Sequence, residues 1–183
     1  MSKFHVRTIC RIGVMAALYV LLNMVSIKAG NLRITFASLP VVTAALLFGP
    51  LEAVLVALVG EFLNQLLGGY GITATTALWL VPPALRGLAV GFGADVFSRR
   101  GTQTLESCPA ACYGVCVAAA LLTTVSNTLV IAVDGLVYGY YTPALVLGDF
   151  AWRLVSGMVI AVVIATVAMP LTGLLRRQGL GRA

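Results

Sequence analysis

The stretch NLRITFASLPVVTAALLFGP, residues 31–50, holds one cation, Arg33, and then no charge through residues 34–48. Gly49-Pro50 ends it, because glycine takes the turn and proline starts a new helix rather than extending the old one. A run of this composition reads as a membrane span. It falls short of the roughly 20 residues of a full crossing, so a tilted span, or one partly outside the hydrocarbon core, is expected.

The same texture continues on both sides. Apolar runs are expected to span 8–27, 51–67, 77–97 (interrupted by Pro82-Pro83), 110–133 and 145–175. Polar or glycine-rich connections separate them: Lys28 to Arg33 as a turn, Gly68-Gly69-Tyr70-Gly71 as a loop, and residues 98–109. Composition agrees: 60% of the 183 residues are hydrophobic and only 10% charged, with a mean hydropathy of +1.02. Soluble domains carry roughly 25% charged residues, so lipid must cover much of this surface. The expected fold is an all-α membrane protein, one integral domain over 1–183, with six transmembrane helices. Its first run, long and without a small-residue cleavage site, reads as a retained helix rather than a signal peptide.

The cations set an orientation. Lys3, Arg7, Arg11, Arg99, Arg100, Arg176, Arg177 and Arg182 fall on one side of a six-span layout, against Lys28 and Arg33 on the other. The positive-inside rule makes the first side, with both termini, cytoplasmic. The net charge of +6 then reflects topology and anionic lipid, not a nucleic-acid footprint.

Two arginines, Arg86 and Arg153, and two acids, Glu61 and Asp149, lie inside apolar runs. A charge at mid-membrane costs on the order of 3 kcal/mol, so such groups pair, face a wet cavity, or do both. Asp149 and Arg153 are spaced i,i+4 and can neutralise each other; Glu61 can partner Arg86. Glu61, Asn64, Gln65, Asp149, Trp152 and Arg153, with Arg33 and the loop around Tyr70, gather toward the outer face, where a solute from outside is captured; Arg86 joins them as a candidate for substrate binding. Thr75, Trp79 and Asn127 complete the candidate substrate-binding set. Trp79 and Tyr138 to Tyr141 also suit an interfacial aromatic belt, and Asn127 an interhelical hydrogen bond. Gly13 and Ala17 make a small-xxx-small pattern for close helix approach.

Catalytic chemistry finds no footing. The one histidine is His5, outside the apolar runs, and no nucleophile motif stands out, so no catalytic residue is assigned. Cys108, Cys112 and Cys116, spaced by four, lack histidine or carboxylate partners and read as packing residues rather than metal ligands. No disulfide is expected.

The order of features resembles the substrate-binding S component of energy-coupling factor (ECF) vitamin transporters. Residues 31–50 look like its folate-type branch, where Leu-x-Arg-x-x-Phe leads into the second helix and Leu-Phe-Gly-Pro closes it. VGEFLNQLL resembles the third helix, with Gly60-Glu61 where Gly-Asp is usual; ALRGLAVG and Asn127-Thr128-Leu129 match further on, and Arg153 sits where the sixth helix carries a basic residue. Folate-type members carry Pro-Tyr-Phe-Pro-Gly-Phe after the third helix, and GGYGITATTALWLVPP stands in its place here.

The resemblance implies a non-enzymatic binding subunit in a prokaryotic plasma membrane. It would capture a vitamin from outside and work with a transmembrane coupling subunit and two ATP-binding subunits. It would bind no cofactor itself, the ATP being used by its partners. Gly13 and Ala17 would contact the coupling subunit. A folate- or pterin-like ligand is the first expectation, with pantothenate, lipoate, pyridoxine or a pyrimidine, and a queuosine precursor as alternatives. From other classes, a membrane scaffold or an intramembrane lipid-modifying enzyme would carry the same hydropathy.

Overall fold

The computed structural model describes residues 6–29, 32–68, 71–101, 104–148 and 150–181. Helix α1 (Val6–Met24) leads through a short antiparallel hairpin, β1 (Ile27–Ala29) and β2 (Leu32–Ile34), into α2 (Ser38–Phe48) and α3 (Pro50–Leu67). There follow α4 (Thr76–Trp79), α5 (Val81–Arg100), a 3-10 turn (Leu105–Ser107), α6 (Pro109–Tyr138), α7 (Pro143–Leu147) and α8 (Phe150–Arg177). At the expected polar turn, Lys28 to Arg33, the residues on either side of positions 30 and 31 are extended, with Lys28 paired across to Arg33.

Among the described residues, five segments are long and apolar enough to cross a membrane: Val6–Met24, Pro50–Leu67, Thr76–Arg99, Pro109–Tyr138 and Phe150–Arg177. The sixth expected span is α2, only 11 residues long. All but Leu39 of its residues are buried, the signature of a helix hydrophobic all round that is enclosed by protein. It packs against α1, α3, α5 and α8, while α1, α3, α5, α6 and α8 touch their neighbours in that order around it. Helix α2 is therefore a plug inside a bundle of longer helices.

Glycine and proline set the spacing. Gly49, at φ 95°, takes a backbone that only glycine adopts freely, and turns the chain from α2 into α3. A Cβ on Gly91 would lie 2.4 Å from Pro50 Cα, and one on Gly87 3.1 Å from the Ala53 carbonyl, so these two glycines let α5 lie directly on α3. The span Thr76–Arg99 is interrupted as the sequence suggests: it breaks at Leu80, between α4 and α5. Pro82 and Pro83 occupy the first turn of α5, where missing N–H groups cost nothing.

At the Phe48 end of α2 the core is densely packed. Leu47, Ala53, Val90, Leu105 and Cys112 are at most 1% exposed. Cys112 and Cys116 fill this seam as free thiols, and among the described residues no cluster of metal-ligating side chains occurs. Arg176 closes the end: its Nε pairs with Glu106 Oε1 at 2.6 Å and its Nη2 donates to the Leu46 carbonyl at 2.8 Å. Arg11 stacks 4.8 Å above the Phe48 ring. Both cations sit where the C-terminal carbonyls of α2 concentrate negative potential.

Candidate functional site

Because α2 is short, it fills one end of the bundle and leaves the other hollow. The space is a cavity of about 880 Å³, floored by Ser38 and Val41 of α2. It falls in the range of small-molecule sites, roughly 300–1,000 Å³.

Each long helix gives one stripe to the wall. Tyr19 and Asn23 come from α1, Glu61, Asn64 and Gln65 from α3, and Pro82, Pro83 and Arg86 from α5. Helix α6 supplies Thr123, Asn127, Ile131, Asp134 and Tyr138, steps of three and four that keep one face turned inward over four turns. Helix α8 supplies Arg153, Ser156, Gly157 and Ile160 on the same periodicity.

Two carboxylates anchor the polar wall. Glu61, 8% exposed, accepts hydrogen bonds from Tyr19 Oη at 2.6 Å, Gln65 Nε2 at 2.8 Å and Asn64 Nδ2 at 3.3 Å. Gly60 makes this possible: a Cβ there would meet the Tyr19 ring at 2.8 Å, so glycine lets the ring lie flat against α3 with its hydroxyl on the next residue. Asp134 accepts from the hydroxyls of Thr75 and Tyr140 and, at 3.5 Å, from Trp79 Nε1. Ala74 N donates to Tyr138 Oη at 3.3 Å nearby. Asp134 thereby ties the segment before α5 to the segment after α6. Tyr140, beyond the end of α6, has its pKa pushed up to about 12, first by its hydrogen bond to Asp134 and then by burial and by that carboxylate's charge.

The arginines are held separately. Arg86 Nε donates to Thr123 Oγ1 at 3.2 Å, and the Thr123 hydroxyl donates in turn to the Ala119 carbonyl at 2.6 Å. Arg153 Nη2 donates to the Val146 carbonyl at 3.2 Å, linking α8 to α7.

Of the residues singled out from sequence, Glu61, Asn64, Trp79, Arg86, Asn127 and Arg153 line the cavity, and Thr75 sits behind it on Asp134. Trp152 does not: it is 60% exposed, one residue and about 100° round α8 from the stripe that begins at Arg153. Glu61 and Arg86 do not pair as expected; α1 and α3 hold the first, α6 the second. Tyr70, Asp149 and the Arg33 side chain lie outside the described residues. Gly13 and Ala17 face outward from α1, and a Cβ on Gly13 would meet nothing within 4 Å.

Sequence reasoning missed Asp134, Tyr19 and Thr123. It ended the fifth span at 133, whereas α6 runs to Tyr138 and stops at Gly139, in the left-handed region at φ 77°. The inward stripe on α6 was the available signal.

The bundle has known counterparts. An S component of a bacterial ECF transporter superposes with a TM-score of 0.62 at 19% identity, covering 92% of this chain and 97% of that one. FolT bound with folic acid gives 0.60 at 20% identity, covering 93% and 95%. ThiT from Listeria monocytogenes gives 0.60 at 14%, covering 87% and 93%. At these identities the likeness concerns the fold. In sequence, UPF0397 proteins of Streptococcus pneumoniae are 32% identical over 91 residues in strain CGSP14 and 31% in strain Hungary19A-6, 49% of this chain and 48% of theirs. The matched stretch thus spans about half the length of those relatives. A family model for the S component of the ECF-type riboflavin transporter matches residues 3–177, nearly the whole chain and every element of the cavity wall. The chain is a membrane protein, and it belongs to the family of ECF-type riboflavin transporter S components.

Proposed function

We propose that this chain is the solute-capturing subunit of an ECF-type importer in a prokaryotic plasma membrane. It takes a vitamin or related metabolite from outside and gives it up inside, driven by a transmembrane coupling subunit and two ATP-binding subunits. The observation that carries the reading is the position of the cavity, at one end of a bundle whose other end is plugged and cationic. Arg7, Arg11, Arg99, Arg176 and Arg177 lie at the plugged end, which the positive-inside rule assigns to the cytoplasm. With α2 counted as a sixth, incomplete crossing, both termini are cytoplasmic and the cavity faces out. The outward Gly13 and Ala17 then leave α1 smooth for the coupling subunit.

The first ligand class is folate- or pterin-like. Arg153 and Arg86 suit a carboxylate or a ring carbonyl, and the cavity volume suits a ring with a tail. A flavin is the second reading, favoured by the family model's own description. Native mass spectrometry of the purified chain, followed by thermal-shift titration with folic acid, riboflavin, thiamine and biotin, tests both. A pterin mass supports the first reading and a flavin mass the second. Absence of any bound mass, with no shift by any of the four vitamins, sinks the solute-binding function.

A further inference from the structure

Beneath the cavity floor lies a second, smaller space. It is a chamber of about 10 Å³, room for one particle the size of a water or a small anion. Val42, Val90, Cys116, Ala161 and Ile164 give it apolar walls, while Ser38 and Arg86 line both it and the main cavity. These two residues therefore form the partition between the spaces. Arg86 brings a full charge to that partition, and among the described residues no carboxylate pairs with it. The contacts of Gly87 with Ala53 and of Gly91 with Pro50 set Arg86 level with Val54, about two turns along α3 from Glu61.

A lone cation in a membrane interior is held at a cost that a neutral partner relieves only in part. Thr123 takes the Nε proton, and among the described residues nothing takes the terminal nitrogens. The rest of the partition suits an anion. Ser38 is 8% exposed, and its hydroxyl has no hydrogen-bond partner among the described residues. It is also the first residue of α2, whose N-terminus has no side-chain cap. Among the described residues the Ser38 N–H finds no backbone acceptor, and the helix dipole adds positive potential at this end. A guanidinium, a buried hydroxyl and an uncapped helix start thus meet at one small space.

We propose that this chamber is a seat for one monatomic anion, chloride under ordinary conditions, held as the counter-ion of Arg86. The anion accepts from one terminal nitrogen of Arg86, from the Ser38 hydroxyl and from the Ser38 N–H, and the other terminal nitrogen stays available to the cavity. The chamber's size excludes phosphate and carboxylate groups. A water in the same place would leave the arginine unneutralised. The seat is separate from any solute in the cavity above and does not depend on what that solute is. It lets the protein keep an arginine at the cavity floor without spending an acid of its own on it.

The test uses the full-length chain in an uncharged detergent, without added vitamin. Thermal unfolding is followed at constant ionic strength while sodium gluconate is replaced by sodium chloride and, in parallel, by sodium acetate. Chloride should raise the midpoint saturably, by about 3 to 6 °C at ten times its dissociation constant, and acetate should not. Arg86→Gln removes the charge and the response together. Ser38→Ala keeps the charge and needs about 10-fold more chloride for the same shift, the loss expected for one hydrogen bond to an ion. Arg11→Gln, at the opposite end of α2, keeps the full response. Chloride NMR line broadening reports the bound ion directly and should disappear with Arg86→Gln. A wild type with neither a chloride shift nor line broadening overturns the proposal, as does a shift of equal size in Arg86→Gln. A shift as large with acetate moves the anion into the open cavity and overturns the chamber site. Should Arg86→Gln fail to fold, an unchanged chloride requirement in Ser38→Ala overturns it instead.

Discussion

The two ends of this bundle are built from the same helices and differ in what fills the middle. At the plug end, α2 occupies the axis and glycine lets backbones touch, with Gly91 against Pro50 and Gly87 against Ala53. At the cavity end no helix takes the axis, and the walls hold one another through side-chain hydrogen bonds to Glu61 and Asp134. Van der Waals packing stabilises one end, where lipid and protein are equally apolar and close approach is the available gain. Polar bonds that a solute can join hold the other. Rigidity and binding are thereby separated along the axis, and substitutions should divide in the same way.

The largest effect belongs to the plug. Gly91→Val puts a branched side chain where even a Cβ would be 2.4 Å from Pro50 Cα. Neither backbone can yield without parting α3 from α5, so a loss of about 3 kcal/mol is expected, the upper range for overpacking. Thermal unfolding in detergent measures it. A midpoint within a degree of wild type would mean that α3 and α5 are not in contact as described.

Next comes the clasp at the same end. Arg176→Ala removes both the Glu106 pair and the bond to the Leu46 carbonyl, and strands a Glu106 side chain only 7% exposed. A fully buried pair broken this way costs about 3–5 kcal/mol. Arg176 is 31% exposed, and water screens it, so about 1–2 kcal/mol is the expected loss. Ligand affinity should stay within twofold, because the clasp lies across α2 from the cavity. A large affinity loss at unchanged stability would break the division between the two ends.

The helix at the plug was legible in sequence, its enclosure was not, and the cavity was only partly so. Residues 34–48 announce an apolar helix by lacking charge, and Gly49-Pro50 marks its end, because both signals are local; that protein rather than lipid surrounds it is decided by the helices packed around it. Glu61, Arg86 and Arg153 stand out because charge in an apolar run is rare. Charge alone does not say which groups meet. Pairing Glu61 with Arg86 is reasonable on charge, yet neutral residues from α1 and α6 decide the outcome. Trp152 has the right depth and the wrong azimuth. Asp134 is the clearest omission: its partner Thr75 is 59 residues away in sequence, and Gly135 and Gly139 beside it read as loop. The family resemblance, by contrast, survives such errors, since it rests on the order of whole segments.

Asp134 also sharpens the comparison at the cavity end. Asp134→Asn keeps the shape, but a neutral amide accepts the Thr75 and Tyr140 hydroxyls more weakly than a carboxylate does. The segments before α5 and after α6 should part more often. A bound vitamin should then leave roughly 10-fold faster, with the unfolding midpoint nearly unchanged. Stopped-flow displacement reads the rate; equal off-rates would show that these segments do not retain the solute.

The smallest effect is spectroscopic and bears on Asp134 directly. Tyr140 titrates at about 12 because ionising it forfeits the bond to Asp134 and sets two negative charges side by side. A pKa raised on folding contributes stability that is complete below about 10, the ordinary tyrosine value, and is lost as pH climbs through the folded value. The join between the two segments should therefore hold through neutral and mildly alkaline pH and weaken only as pH nears 12. Tyr140 is 45% exposed, so water blunts this contribution and the spectrum is the better reporter. Phenolate absorbance of the wild type should contain one late component that moves back toward 10 in Asp134→Asn and disappears in Tyr140→Phe. If the late component persists in Asp134→Asn, the carboxylate is not what holds the Tyr140 proton, and the faster solute release expected of that variant loses its physical basis.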